Sequence, residues 1–271
     1  MDAARHLTVG MAQMRVQPGQ SAANLRQAVA CIAEAGRAGC ALVVLPECLD
    51  LGWADSRAHT LAQPLPGPHA DVLTAAARAH GIFVAAGLVE RRGEKLYNAA
   101  VLIDDHGHTA LYHRKINLVA EVEDLYAAGS RLAVAHTRLG VIGLNICADN
   151  LPGAPGCVSV GHALAQMGAQ IIVSPSAWAV PPDHDQAATP YGALWQEAYG
   201  QLAAAHGVPV VGVSSVGRLE DGIWSGWPVI GASLAMGGDG CVAARAPFGE
   251  NADVLIVVEL LLRHAPAKEH A

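Results

Sequence analysis

The sequence predicts a single α/β domain with mixed sheets and helices packed outside them. Three observations lead there. Short apolar runs alternate with segments of helical periodicity. Several of those runs are continuously apolar, the pattern of strands covered on both faces. Gly-rich turns join other runs directly, which adds hairpins to the βα units and argues against a pure parallel barrel. The length of 271 residues and the 52% hydrophobic content allow most of the apolar surface to be buried without disulfide staples.

The elements follow in order. Leu7–Ala12 reads as a buried strand. Ser21 is placed to cap a helix whose apolar positions Leu25, Ala28, Val29 and Ile32 keep helical spacing, and Gly39 stops it. Ala41–Leu45 is a continuous apolar strand, Ala70–His80 a helix closed by Gly81, and Ile82–Leu88 a further strand. Turns at Arg92-Gly93 and at Asp105-His106-Gly107 predict a meander up to Ile116. Arg138–Ile146 reads as one strand, Val160–Met167 as a helix ended by Gly168, and Ile171–Ser174 as a strand. Thr189-Pro190 has the form of a cap with proline at the first helical position, so a helix is expected from there to His206. Val208–Ser214, a hairpin around Gly237–Gly240 and a last strand within Asn251–Leu262 complete the pattern. The domain is expected to span residues 1–263, with 264–271 as a loose tail lacking any core pattern.

Composition excludes several functions. A net charge of −7 with 17 Lys plus Arg leaves little from which to build a nucleic-acid groove. No apolar run approaches the roughly 18 residues that a membrane span needs. The apolar stretch near the N-terminus is too short for a signal-peptide core, so a cytoplasmic location is expected. The six cysteines form no Cys-x-x-Cys pair and are expected reduced, most of them as small buried hydrophobes. Gly-x-Ser-x-Gly, Gly-x-Gly-x-x-Gly and Walker loops are absent. The His106-x-His108 pair and Asp183-His184-Asp185 read as loop residues, the latter as a candidate pocket rim. Trp224 and Trp227, in a glycine-rich stretch, read equally as a lid or as hairpin packing.

Residues foreign to a core end several of the apolar runs. Val43-Val44-Leu45-Pro46 runs into Glu47, Val141–Ile146 into Cys147, and Ile171-Ile172-Val173 into Ser174-Pro175-Ser176-Ala177-Trp178. Tyr112-His113-Arg114-Lys115 ends another strand-like run with a cluster of bases. Ligands in α/β folds sit beyond the carboxyl ends of strands, so Glu47, Lys115 and Cys147 are placed to converge on one rim. Their chemistry is complementary. A thiol becomes a strong nucleophile when a base takes its proton, a carboxylate in a dry pocket can be that base, and an ammonium stabilises the oxyanion formed on attack at a carbonyl. The backbone N–H of Ala148 would be a second donor. Taken singly, Cys147 also reads as a buried structural thiol, Glu47 as a turn residue and Lys115 as a surface charge; it is their recurrence at strand ends that joins them.

Leu45-Pro46-Glu47, Arg114-Lys115-Ile116-Asn117-Leu118 and Ile146-Cys147-Ala148-Asp149 resemble, in order and spacing, the three signature blocks of the nitrilase superfamily of carbon–nitrogen hydrolases. Similarities at Val9–Gln13, Tyr97-Asn98, Gly168-Ala169-Gln170, Pro175–Trp178 and Gly231-Ala232-Ser233 extend the resemblance over about residues 7–260. It implies an α-β-β-α sandwich and a Glu–Lys–Cys triad without metal or organic cofactor. Cys147 would be the nucleophile, Glu47 the general base and Lys115 the oxyanion holder. A second glutamate near the nucleophile would be Glu121 or Glu123, which spacing does not separate. Asp149 and Trp178 would support or line the pocket. The resemblance further implies a homodimer or higher homo-oligomer and a small-molecule amide, carbamoyl or nitrile substrate.

The sequence departs from the family where substrate is chosen. Pro- and Gly-rich residues 150–160 replace the commoner Arg-Phe-Pro-Glu pattern, and Glu197 in the helix after Trp178 becomes a candidate pocket residue. Cys-Ala-Asp at the nucleophile, against the usual Cys-Trp-Glu of nitrilases, favours amide or carbamoyl hydrolysis. The rival readings are a true nitrilase and a catalytically silent binding protein that keeps the fold.

Overall fold

A computed structural model describes residues 5–154 and 156–262. The expected loose tail, residues 264–271, lies outside the described residues.

Two six-stranded mixed sheets form the centre. The first runs, edge to edge, Val254–Leu262, Arg5–Gln13, Leu42–Val44, Phe83–Arg92, Lys95–Ile103 and Thr109–Arg114. The second runs Val242–Arg245, Leu234–Met236, Val210–Ser214, Ile171–Ser176, Gly140–Leu144 and Val134–Thr137. Each contains three adjacent parallel strands flanked by antiparallel ones: the strands beginning at Arg5, Leu42 and Phe83 in the first, and those beginning at Gly140, Ile171 and Val210 in the second. A small third sheet, Arg15–Val16 with Val216–Arg218 and Pro228–Ile230, was not foreseen from the sequence.

Side-chain alternation along the strands builds two core layers. Val9, Met11, Leu42, Val44, Phe83 and Ala85 point at the second sheet and pack with Ile142, Leu144 and Val173. Their neighbours Val43, Leu45, Val84 and Ala86 point the other way, under the helices Ser21–Arg37 and Pro68–His80. Those helices present Ala28, Ile32, Ala35, Leu73 and Ala77, a buried stripe at helical spacing. The helices Val160–Gln166 and Ala193–His206 cover the outer face of the second sheet, through Leu164, Trp195, Tyr199 and Leu202. The result is the α-β-β-α order that the resemblance implied. Among the described residues no helix is long and apolar enough to cross a membrane.

Three local expectations are corrected. The segment read as one strand from Arg138 to Ile146 is the second half of a hairpin: Val134–Thr137 pairs with Gly140–Leu144, and Arg138-Leu139 form the turn, closed by the Thr137 hydroxyl donating to the Gly140 carbonyl. The helix expected from Thr189 starts at Ala193. Gly192, at φ 111°, holds a left-handed conformation that no helix contains, and Asp185 takes the N–H groups of Ala187 and Ala188 into a separate turn. Ser21 is the first residue of its helix rather than the cap; the entry is tied instead by Asn24, whose side chain exchanges two hydrogen bonds with the Gln17 backbone. Four of the six cysteines are buried, as expected of most, while Cys157 and Cys241 are exposed.

Candidate active site

The carboxyl ends of the parallel strands of both sheets meet at one end of the sandwich. There the Glu47 N–H donates to the Ser176 carbonyl at 3.2 Å, bridging the two sheets. Glu47 is held close against the neighbouring strand: a Cβ on Gly87 would stand 2.5 Å from the Glu47 Cα, so only glycine lets the two backbones approach.

Lys115 leaves the edge strand Thr109–Arg114 and turns inward, fully buried. Its Nζ donates to Glu47 Oε1 at 2.7 Å and to Glu123 Oε2 at 2.8 Å, and it lies 5.7 Å from the centre of the Trp53 ring. A buried ammonium is tolerable only when paired, and here two carboxylates pair it. Burial pulls its pKa down, but the charges of Glu123 and then Glu47 outweigh burial and hold it well above the usual lysine range. For Glu47 the balance goes the other way. Burial, aided by the Glu123 charge, pushes its carboxyl up to about 7 against the pull of Lys115 and Asn98. Asn98 Nδ2 bridges the two carboxylates, donating to Glu47 Oε1 at 2.6 Å and to Glu123 Oε1 at 2.8 Å. Glu47 Oε2 is buried with no protein partner among the described residues, leaving one carboxylate oxygen free to take a proton.

Cys147 sits three residues beyond the end of the Gly140–Leu144 strand, in a tight 3-10 turn over Cys147–Asn150. Its φ of 45° is uncommon for a residue with a Cβ and belongs to strained functional turns. The strain is held by buried polar side chains. The Cys147 N–H donates to Ser174 Oγ at 3.0 Å, and Asn150 donates to the Cys147 carbonyl and to the same Ser174 Oγ. The thiol pKa is raised, by burial first and then by the Glu47 charge; Lys115 and the Ala177 N–H act in the opposite sense without prevailing. The sulfur thus rests as a thiol beside a carboxylate of raised pKa.

Asp149 ties the Lys115 and Cys147 elements together. Its Oδ1 accepts the N–H groups of Ile116 and Asn117, and its Oδ2 accepts from the Ile146 N–H and from His113 Nε2 at 2.7 Å. With both oxygens occupied and no exposure, it is a structural tether rather than a substrate contact. Ala148 is the only residue of the Cys147–Asn150 turn that is not buried.

The structure separates the two candidate second glutamates. Glu123 is fully buried and accepts from Trp53 Nε1, Asn98 Nδ2, the Val119 N–H and Lys115 Nζ, each at 2.8 Å. Glu121 is exposed, at φ 66°, with its N–H bonded to Asp124. Trp178 is buried, stacked on Trp195 with ring centres 5.0 Å apart, and its Nε1 has no protein partner among the described residues. Glu197, a candidate pocket residue, is instead exposed and bonded to Gln201 on its own helix. His184 lies against Phe248 and Tyr191, ring centres 5.8 and 6.4 Å away. Trp224 and Trp227 stack on each other at 4.4 Å, and Trp224 meets Trp53 edge-on, so this pair buttresses the wall behind Glu123.

Sequence reasoning missed Asn98, Trp53, Ser174 and Asn150 as parts of the site. Asn98 carried a readable signal: a polar residue opening the apolar run Ala99–Ile103 in mid-strand needs a buried partner.

The profile of the carbon-nitrogen hydrolase family matches residues 8–264. The chain belongs to that family. Members of known activity resemble it on both sides of the amide–nitrile division. A bromoxynil-specific nitrilase of Klebsiella pneumoniae subsp. ozaenae is 32% identical over 58% of this chain and 48% of its own length. The omega-amidase NIT2 of Danio rerio is 28% identical over 57% of this chain and 58% of its own. The matched stretch thus spans about half the length of these curated relatives. Among solved structures, a carbon-nitrogen hydrolase from Helicobacter pylori G27 superposes with a TM-score of 0.83 over 94% of this chain and 89% of that one, at 20% identity, and so bears out the fold.

Proposed function

We propose that this member of the family is a cysteine-dependent amidase that hydrolyses a linear amide or carbamoyl compound through an acyl-enzyme on Cys147. The observation that carries the proposal is the buried lysine clamped at 2.7 and 2.8 Å between Glu47 and Glu123, beside a thiol on a strained turn.

The resting protonation states fit general-base catalysis. Glu47, at about 7, is substantially ionised at neutral pH, whereas the thiol is not. As the Cys147 sulfur attacks the amide carbon, its proton passes to Glu47 and the carbonyl electron pair moves to oxygen. Lys115 Nζ and the Ala148 N–H stabilise that oxyanion. When the oxygen re-forms the double bond, the C–N bond breaks, and Glu47 returns the proton to the departing ammonia or amine, leaving a thioester. Water then gives a proton to Glu47 and attacks the thioester; the thiolate leaves and recovers the proton, and the acid departs. Glu123 accepts no proton in this scheme. It keeps Lys115 charged and in place when Glu47 is neutral.

A nitrilase reading is kept by the 32% identity to the bromoxynil-specific enzyme. On a nitrile the same attack gives a thioimidate, which one water converts to the thioester with loss of ammonia. Matched amide and nitrile pairs, assayed for ammonia release, separate the two. The amidase reading expects the amide to be turned over faster, and a larger kcat/KM on the nitrile contradicts it. Cys147→Ala is expected to abolish turnover of both, and retention of full activity would refute either reading. A homo-oligomer in the cytoplasm belongs to the same proposal; light scattering of the purified chain checks the assembly, and a monomer contradicts it.

A further inference from the structure

Outside the catalytic cluster, the described surface carries a groove of about 940 Å³, within the range of small-molecule sites. Neither Glu47, Lys115, Glu123 nor Cys147 lines it. Four arginines do: Arg91, Arg92, Arg114 and Arg131.

Their charges are unevenly satisfied. Glu90 is the only carboxylate in the lining, and it is buried and already committed: both its oxygens take the Arg114 guanidinium, at 2.6 Å each, and Oε2 also takes the Tyr112 hydroxyl. Arg114 is further fixed over the Tyr97 ring, 3.9 Å from its centre. Arg91 donates to the carbonyls of Ala58, His59 and Ala62, which satisfy its N–H groups but leave its charge uncompensated. The side chains of Arg92 and Arg131 have neither a hydrogen bond nor an ion pair to any described residue. Two guanidinium groups without a carboxylate, those of Arg92 and Arg131, thus line one groove, with the uncompensated charge of Arg91 turned toward the Ala58, His59 and Ala62 carbonyls at its margin, in a chain whose net charge is −7. The backbone between them is anchored: the Gly129 N–H donates to the Lys115 carbonyl at 2.7 Å, two residues before Arg131.

We propose that this groove is a binding site for a small organic polyanion, distinct from the acyl-transfer centre, with Arg92 and Arg131 as its principal ligand contacts. Carboxylate and phosphate are the groups that match an arginine fork, each taking two parallel N–H donors. Leu65 and Leu132, the latter 37% exposed, supply an apolar wall for a carbon skeleton between the charges.

Isothermal titration of the full chain with citrate and with pyrophosphate, at low ionic strength, tests the proposal. At least one is expected to bind with a Kd below about 1 mM and to weaken as salt is added. Arg92→Gln and Arg131→Gln are each expected to weaken binding about tenfold, the loss of one charge-assisted contact, and the double variant to abolish it. Because both side chains are exposed, these variants should keep the wild-type melting temperature and amidase activity. Cys147→Ala should bind like the wild type, which separates this site from the catalytic one whatever reaction Cys147 performs. Citrate binding alone would identify a polycarboxylate site, and pyrophosphate binding alone a phosphate site. Failure of both probes to bind, or equal binding by the double variant, would overturn the proposal.

Discussion

Replacing Glu123 by glutamine alters one atom and removes two of the four hydrogen bonds that the carboxylate accepts. Glu123 Oε1 accepts from Trp53 and Asn98, and Oε2 accepts from the Val119 N–H and Lys115. A glutamine must place its NH₂ at one of these positions. Either way two donors face a donor, and no rotation of the amide relieves it. Two buried hydrogen bonds are lost, and Lys115 retains a single carboxylate partner whose own pKa is raised to about 7. Breaking one side of a buried pair costs about 3–5 kcal/mol. For a chain of this size that corresponds to a fall in Tm of about 10 °C. Lys115 would also lose its position when Glu47 takes up a proton, so kcat should fall about 10²–10³-fold, the range seen when one oxyanion donor is removed. The assay pairs a thermal melt with kcat on the preferred amide, and uses Glu121→Gln as the control. Glu121 is exposed, so its substitution should leave both within error. A Glu123→Gln protein with unchanged Tm and kcat, or a Glu121→Gln protein with the larger defect, would refute the assignment of Glu123 as the positioning glutamate.

Further predictions concern the neighbours. Because Glu47 must be ionised to accept the thiol proton and its pKa stands at about 7, kcat/KM should rise as pH increases through that value and then level off; a profile flat from pH 5 to 8 would contradict a Glu47 base. Gly87→Ala should cut soluble yield and activity together, since its Cβ would meet the Glu47 Cα at 2.5 Å and the Pro46 carbonyl at 2.8 Å; a wild-type melt would show that the strands can part freely. Asp149→Asn would set an amide NH₂ donor where one carboxylate oxygen now accepts two hydrogen bonds. It is expected to lower Tm and to lower kcat more than it raises KM, because it displaces Lys115 and Cys147 rather than a substrate contact; a pure KM effect would make Asp149 a binding residue.

How far the site could be read in advance depended on where each residue sits along the chain. Glu47 and Cys147 follow apolar strands, and a polar residue at the end of a fully apolar run is visible without coordinates; Lys115 closes a basic cluster at the end of a mixed strand, so it was placed by its position at a strand end and not by an apolar run. Glu123 was not separable from Glu121, because both lie in an irregular loop without period; what chooses Glu123 is a set of donors drawn from residues 53, 98, 115 and 119. Trp53 was hidden for the same reason. The layered fold followed from continuous apolar runs, yet residues 138–146 were misread because Leu139 and Val141 keep a hairpin turn looking like strand. Thr189-Pro190 carried a valid helix-start signal, which Asp185 and Gly192 overrode by local hydrogen bonding and a left-handed backbone. The Arg92 and Arg131 groove had no sequence signature at all, since 39 residues separate the two and only the fold brings them to one wall.

The central claim is that Cys147 carries the acyl group and Glu47 moves the protons. Intact-protein mass spectrometry of Glu47→Gln, followed over time with a panel of amides, carbamoyl compounds and nitriles and set beside the wild type, tests it most directly. Glutamine removes the base from both half-reactions, so the variant should acylate slowly and, unable to activate the deacylating water, retain an adduct of the acyl mass that peptide mapping places on Cys147 and that the wild type clears. An adduct on another cysteine, or a Glu47→Gln enzyme that turns substrate over at the wild-type rate with no adduct, would contradict the account.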